Sequence, residues 1–185
     1  MKIISLQRGI QQGDPADPFL FSLTIQPILS NLDSSLKLSY LDDCTLGGDP
    51  HTVLSDLDKV IKECKSIGLT INPNKCEIYF CGVQDDSIFT TFNTIAPGIR
   101  VISQSELTLL GSPLFASGIE SIMEDKIDLI RRLYGELSSI STHTAYFLLK
   151  NCLSIPKLTY FICTTQLWLF LSLLEEFDLL LKDSL

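Results

Sequence analysis

Two adjacent carboxylates, Asp42 and Asp43, are the residues of this chain whose type and spacing first suggest chemistry. They follow Tyr40-Leu41 and precede Cys44-Thr45-Leu46-Gly47-Gly48, between two short apolar stretches. Neighbouring acids on a rigid hairpin tip can hold divalent cations, which is what two-metal phosphoryl transfer requires. The same dipeptide also suits a solvated turn. Asp85-Asp86 is an internal comparison, a second acidic pair that the sequence places in a loose loop without flanking strands. Other candidates are thinner. Gln12-Gly13 suits a turn before a helix, Lys75 follows the turn-forming Asn72-Pro73-Asn74, and Gly111-Ser112-Pro113 fits any loop. The six cysteines form no C-x-x-C pair and the only histidines are His51 and His143, so the close Cys/His pairs of a zinc site are missing.

The elements that must position these residues can be read from periodicity. A helix is predicted after Gly13-Asp14-Pro15, with Phe21, Ile25, Ile28, Leu29 and Leu32 on one face and Pro27 imposing a kink or an early stop. Leu36, Leu38 and Tyr40 alternate with Lys37 and Ser39, the period of a half-buried strand. Runs 36–41 and 44–46 then make a hairpin with the two acids at its tip. Residues 50–67 read as a helix capped by Asp49, with Pro50 at its first position and Gly68 just past its end. Its inward face is Val53, Leu57, Val60, Ile61, Cys64 and Ile67, and Asp58, Lys59, Lys62, Glu63 and Lys65 face water. Strands are predicted at 77–81 and 107–110, joined by an irregular connection over 85–98. From Ile119 the period is helical (Met123, Ile127, Ile130, Tyr134, Leu137), with further helices near 144–153 and from Leu158. The order implies an α+β fold, with an antiparallel sheet and packed helices in 1–115 and a helical region in 116–185.

The chain has 185 residues, enough for a real core without staples. Apolar residues make up 45% and charged residues 19%, which excludes a disordered, collagenous or coiled-coil chain. The formal net charge of −8 is not that of a dedicated nucleic-acid binder, whose footprint is basic. Residues 158–174 carry no charge, but they hold several Thr, Gln and Ser residues and fall short of the roughly 20 apolar residues of a membrane span. They read as a buried or partner-facing helix. No secretory leader or N-glycosylation triplet is visible, so an intracellular chain (cytoplasm or nucleus) with reduced thiols is expected.

Four stretches in order carry a resemblance. They are Arg8-Gly9-Ile10-Gln11-Gln12-Gly13-Asp14-Pro15 with Pro18-Phe19-Leu20-Phe21, then Tyr40-Leu41-Asp42-Asp43, then Gly68-Leu69-Thr70-Ile71-Asn72-Pro73-Asn74-Lys75, and last Leu109-Leu110-Gly111-Ser112-Pro113. Together the chain resembles a reverse transcriptase of the non-LTR retrotransposon type, its palm followed by a helical thumb over 116–185. The resemblance implies RNA-templated DNA synthesis by two-metal nucleotidyl transfer, with RNA template, DNA primer and dNTP as partners and Mg2+ as cofactor, Mn2+ being the alternative ion. It implies Asp42 and Asp43 as catalytic metal ligands, and Gln12, Gly13 and Lys75 around the nucleotide. Tyr40, Leu110, Gly111 and Ser112 would hold the primer.

Two positions depart from the family pattern: Asp17 stands where a glycine is usual, and Cys44 where a small residue commonly follows the acids. The family also carries a third metal-binding Asp in a strand upstream of the nucleotide motif, together with fingers. Without that segment as a partner, the 185 residues are expected to be inactive alone and to expose an apolar sheet face. The competing readings are a non-catalytic protein-interaction module derived from this fold, and a membrane-associated protein anchored through 158–174.

Overall fold

The computed structural model describes residues 13–183 of a mixed α+β chain. It divides into two compact units, Met1–Arg100 and Val101–Leu185, and the 115/116 border suggested by the sequence lies inside the second.

In the first unit, α1 (Asp17–Ser30) has no side-chain cap at Ala16, but a turn braced by two carboxylates leads into it. The Asp14 carboxylate accepts the Ala16 N–H at 2.9 Å, and the Asp17 carboxylate accepts the Asp14 N–H at 3.2 Å. The helix passes through Pro27 and stops at Ser30, so Leu32 lies beyond it, though buried beside Ile28. Strands β1 (Leu36–Tyr40) and β2 (Asp43–Gly47) pair antiparallel from Leu36↔Gly47 to Tyr40↔Asp43.

Helix α2 (Pro50–Ser66) matches its predicted caps. The Asp49 carboxylate accepts the His51 and Thr52 N–H groups at 3.1 Å, and Gly68 takes φ 87 past the end. Val60 and Cys64 pack with Ile28 and Leu32 of the first cluster. Val53, Leu57 and Ile61 pack on a second cluster, whereas Ile67, predicted inward, is exposed.

The irregular connection predicted over 85–98 is instead a helix, α3 (Asp86–Ile95), following the short β3 (Glu77–Ile78). Asp85 is its N-cap, accepting the Ser87 N–H at 2.9 Å and the Ile88 N–H at 3.3 Å. Phe92 and Ala96 of this segment form the second cluster with Ile99, which supplies the burial that holds the helix. β3 pairs with β4 (Arg100–Val101). The predicted strand over 77–81 is thus confined to two residues.

In the second unit, β5 (Thr108–Leu109) and β6 (Ser112–Pro113) form a small hairpin leading into α4 (Ala116–Leu137). The helical period holds: Ile119, Met123, Ile127 and Ile130 are buried against Leu158, Phe161, Leu167 and Phe177. Helix α5 (Thr142–Leu148) passes into a π-helical turn (Leu149–Leu153) before α6 (Ile155–Thr164) and α7 (Leu171–Asp183). The uncharged stretch 158–174 is therefore broken between α6 and α7, and among the described residues no helix is long and apolar enough to cross a membrane. The sheet of the fold is three separate two-stranded pieces among the described residues.

Candidate functional site

The ladder register leaves Leu41 and Asp42 as a two-residue turn, with Asp43 the first residue of β2 opposite Tyr40. Leu41 holds φ 55, a left-handed conformation in which a bulky L-residue is strained. Two-residue hairpins favour positive φ at the turn because it matches the strand twist, and glycine normally supplies it. Here a leucine does, immediately before the two acids. Strain of this kind persists only where the surroundings enforce it and clusters at functional sites.

Asp42 and Asp43 are both exposed, and among the described residues neither carboxylate has a hydrogen-bond or ion-pair partner. Two adjacent, uncommitted oxygen donors suit a hard divalent cation and leave most of its coordination to water or substrate oxygens. Asp85 and Asp86, by contrast, are occupied. Asp85 caps α3, which holds its carboxyl below the usual carboxylate range through the Ser87 side chain first and then the Ser87 and Ile88 amides. Asp86 accepts a bond from Gln84 at 3.0 Å.

The faces of the hairpin are the reverse of the expected half-buried strand. Leu46, opposite Lys37, packs on the Ile28–Val60 cluster, so the Lys37/Ser39 face turns inward toward α1. Lys37 and Ser39 line a groove there with Phe19, Leu23 and Gln26 of α1, and Leu41 stands at its edge. Leu36, Leu38 and Tyr40 are left 45%, 43% and 63% exposed. The alternation is that of a strand, but its apolar side faces out, since among the described residues the hairpin residue packed on that cluster, Leu46, comes from β2 and pairs with Lys37.

Cys44 shares the inward face. Although the residue is exposed, burial around its sulfur pushes its thiol up, with Cys64 adding to the rise, so it is a poor thiolate.

Gln12 lies outside the described residues. Gly13 is exposed at φ 104, in front of α1, with open space where a Cβ would stand. The carboxylate of Asp17 accepts the Asp14 N–H in the turn before α1 and so is engaged rather than free. Lys75 ends the short 3-10 turn Pro73–Lys75, whose start is capped by the Asn72 side chain accepting the Asn74 N–H at 3.1 Å. It is exposed, and no hydrogen bond or ion pair joins it to Asp42 or Asp43 among the described residues.

The predicted primer-binding set is divided: Tyr40 is in the first unit, and Leu110, Gly111 and Ser112 are in the second. Leu110 (φ 51) and Gly111 (φ 78) form the turn between β5 and β6, so a second leucine is strained at a second hairpin tip. The Tyr160 hydroxyl donates to the Leu110 carbonyl at 2.8 Å, and buried Ser112 donates to the Thr164 carbonyl at 3.3 Å. Both bonds tie this turn to α6.

Asp56 was not singled out by the sequence. On α2, amid Ser55-Asp56-Leu57-Asp58, it looks like one more solvent-facing acid, yet it is 0% exposed. Its Oδ2 accepts the Asp33 N–H at 2.8 Å, the Ser34 N–H at 2.7 Å and the Ser34 hydroxyl at 2.6 Å, and Lys59 reaches Oδ1 at 3.1 Å. Burial alone would raise its carboxyl; the bonds from Ser34, Lys59 and Asp33 outweigh it and hold the group below the usual range.

Residues 2–114, more than half of the chain, match the family described as reverse transcriptase (RNA-dependent DNA polymerase). A retrovirus-related Pol polyprotein from the type-2 retrotransposable element R2DM of Drosophila melanogaster is 31% identical over 37% of this chain. The chain spans only 8% of that relative's length. No solved structure matches it. The four ordered stretches all lie within the matched span, and the two observations agree: the chain belongs to the reverse transcriptase family.

Proposed function

We propose that this chain is the palm and thumb part of an RNA-directed DNA polymerase, with the palm in 1–115 and the thumb in 116–185. The observation that carries the reading is the uncommitted Asp42-Asp43 pair at the strained tip of a hairpin, within the span that matches the family. Bound Mg2+ or Mn2+ would supply charge stabilisation for in-line attack of a primer 3′-hydroxyl on a nucleotide α-phosphate. Asp42 and Asp43 would hold the ion through their carboxylate oxygens. Gln12 and Gly13 would line the nucleotide pocket, where glycine lets backbone approach closely. Lys75 would neutralise charge on the triphosphate. Tyr40 and the Leu110-Gly111-Ser112 turn would support the primer strand, and an RNA would be the template.

Both carboxylates come from one tip, so they cannot clamp two ions from opposite sides. We therefore propose that the 185 residues extend no primer by themselves and need a facing carboxylate from an upstream palm segment. The test is primer extension on an RNA template with Mg2+ or Mn2+, using the chain alone and joined to a related upstream fingers-and-palm segment. Activity is expected only in the joined protein, lost on Asp42→Ala and kept on Asp85→Ala. Extension that survives Asp42→Ala would overturn the site.

A further inference from the structure

We propose that Asp56 is a positioning residue: its buried carboxylate clamps residues 33–34 at the root of the β1–β2 hairpin and so fixes where the Asp42-Asp43 tip stands. The hairpin has few other anchors. Every residue of β1 is exposed, and β2 reaches the core through Leu46. What holds β1 is at its entry. Three donors from Asp33 and Ser34 converge on one Asp56 oxygen, and Lys59 bridges Asp56 and Asp33 at 3.1 and 2.7 Å. Lys37 donates to the Leu32 carbonyl at 2.8 Å, adding a second tie next to the buried Leu32.

The exit of the hairpin is pressed on the same loop. Gly48 has φ 143, and a Cβ there would stand 3.1 Å from the Ser35 hydroxyl and 3.2 Å from its backbone nitrogen. Both strand ends therefore meet at the segment that Asp56 holds. A five-residue strand rising about 3.3 Å per residue puts the tip roughly 16 Å from this root, so a rotation of about 5° there moves the tip by more than about 1 Å. A displacement of about 1 Å can cost on the order of a hundredfold in rate at a reacting centre.

The clamp stands on the geometry alone; its consequence for metal rests on the reading of Asp42 and Asp43 as ligands. The experiment separates the two. Amide hydrogen exchange and Mn2+-induced broadening are measured on the full chain and on Asp56→Ala, Asp56→Asn and Ser34→Ala. In Asp56→Ala the Ser34 and Leu36–Gly47 amides should exchange roughly tenfold to a hundredfold faster, the fold-change for an unmade buried bond. The Val60 and Cys64 amides of α2 should stay within about threefold. Asn keeps one acceptor oxygen, so Asp56→Asn and Ser34→Ala should fall between wild type and Asp56→Ala. These two variants carry the test if Asp56→Ala does not fold. Mn2+ broadening at the Asp42 and Asp43 amides should weaken in the same order. Wild-type chain without broadening, but with the exchange pattern intact, would remove the metal reading and leave the clamp. Hairpin amides unchanged in all variants, or α2 amides accelerating in step with them, would overturn the clamp.

Discussion

A carboxylate's role in this chain is decided by what its oxygens already hold. Asp49 and Asp85 are spent on helix N-termini, Asp56 on the Asp33–Ser34 backbone, and Asp42 and Asp43 on nothing among the described residues. Two predictions belong here. Asp42 and Asp43 should bind Mg2+ or Mn2+ weakly, at about millimolar order, because two carboxylates leave most positions to water. Calorimetric titration should show the heat lost in Asp42→Asn and Asp43→Asn, and tight binding that survives both would place the ion elsewhere. The second concerns acid. The folded carboxyl of Asp56 lies below its unfolded value of 3.8, so its contribution is fully present above that value. It fades as pH falls from about 4 through the lower folded value. The Asp56→Asn chain should therefore show a shallower loss of stability from about pH 4 downward, with Asp49 and Asp85, also lowered, supplying what remains. Superimposable acid titrations of the two chains would refute it. The paired acids and the Asp49 cap were legible because their signals are local. Asp56 was not, because its partners Asp33 and Ser34 lie 23 and 22 positions away.

At the scale of elements, helices with strong caps and a clear apolar stripe could be read, and α2 and α4 are the cases. α3 was missed although Asp85 and the spacing of Ile88, Phe89 and Phe92 were available. Thr90, Thr91 and Thr94 lower the helix propensity of this segment, and burial of Phe92 and Ala96 overrides it. The threonines return their hydroxyls to the carbonyls four residues back, at 2.7, 3.0 and 2.9 Å. Asp85→Ala should accordingly lower the urea midpoint of the first unit without altering metal binding, and an unchanged midpoint would deny the cap its role. Gly98 offers a sharper test of how this segment closes on the Asn72–Lys75 turn. It holds φ 106, and an added Cβ would lie 2.2 Å from Asn74 Oδ1. Gly98→Ala should cost more than about 1 kcal/mol because φ 106 is strained for any side chain, whereas Asn74 Oδ1 ends an exposed side chain that can turn aside. A urea midpoint within error of wild type would show that the turn yields freely.

For the whole molecule, the family match at 2–114 and the compact units, which meet at 100/101, do not coincide. Element order could not show that division: it suggests a border at 115/116, whereas that stretch is packed within the second unit. A Cβ on Gly118 would stand 2.5 Å from the Ser105 carbonyl oxygen and 3.1 Å from Pro113. The apolar fraction of 45% was legible, but not where it would surface. One place is the outward face of the hairpin, Leu36, Leu38 and Tyr40, on a two-stranded sheet that is marginal by itself. Others are Tyr160, Trp168 and Leu171 in the second unit, each at least half exposed. Apolar faces of this kind associate in water or are covered by a partner. The 185-residue chain should therefore self-associate in sedimentation at micromolar concentration. Leu36→Thr with Leu38→Thr keeps strand propensity while removing apolar area, so it should reduce that association. A related upstream palm segment supplied in trans should raise the thermal midpoint with the logarithm of its concentration once above its Kd, because anything that binds only the folded form stabilises it by mass action. A monomeric wild-type chain with a sharp melt, indifferent to that segment, would mean that these faces need no cover and that the hairpin is stable as it stands.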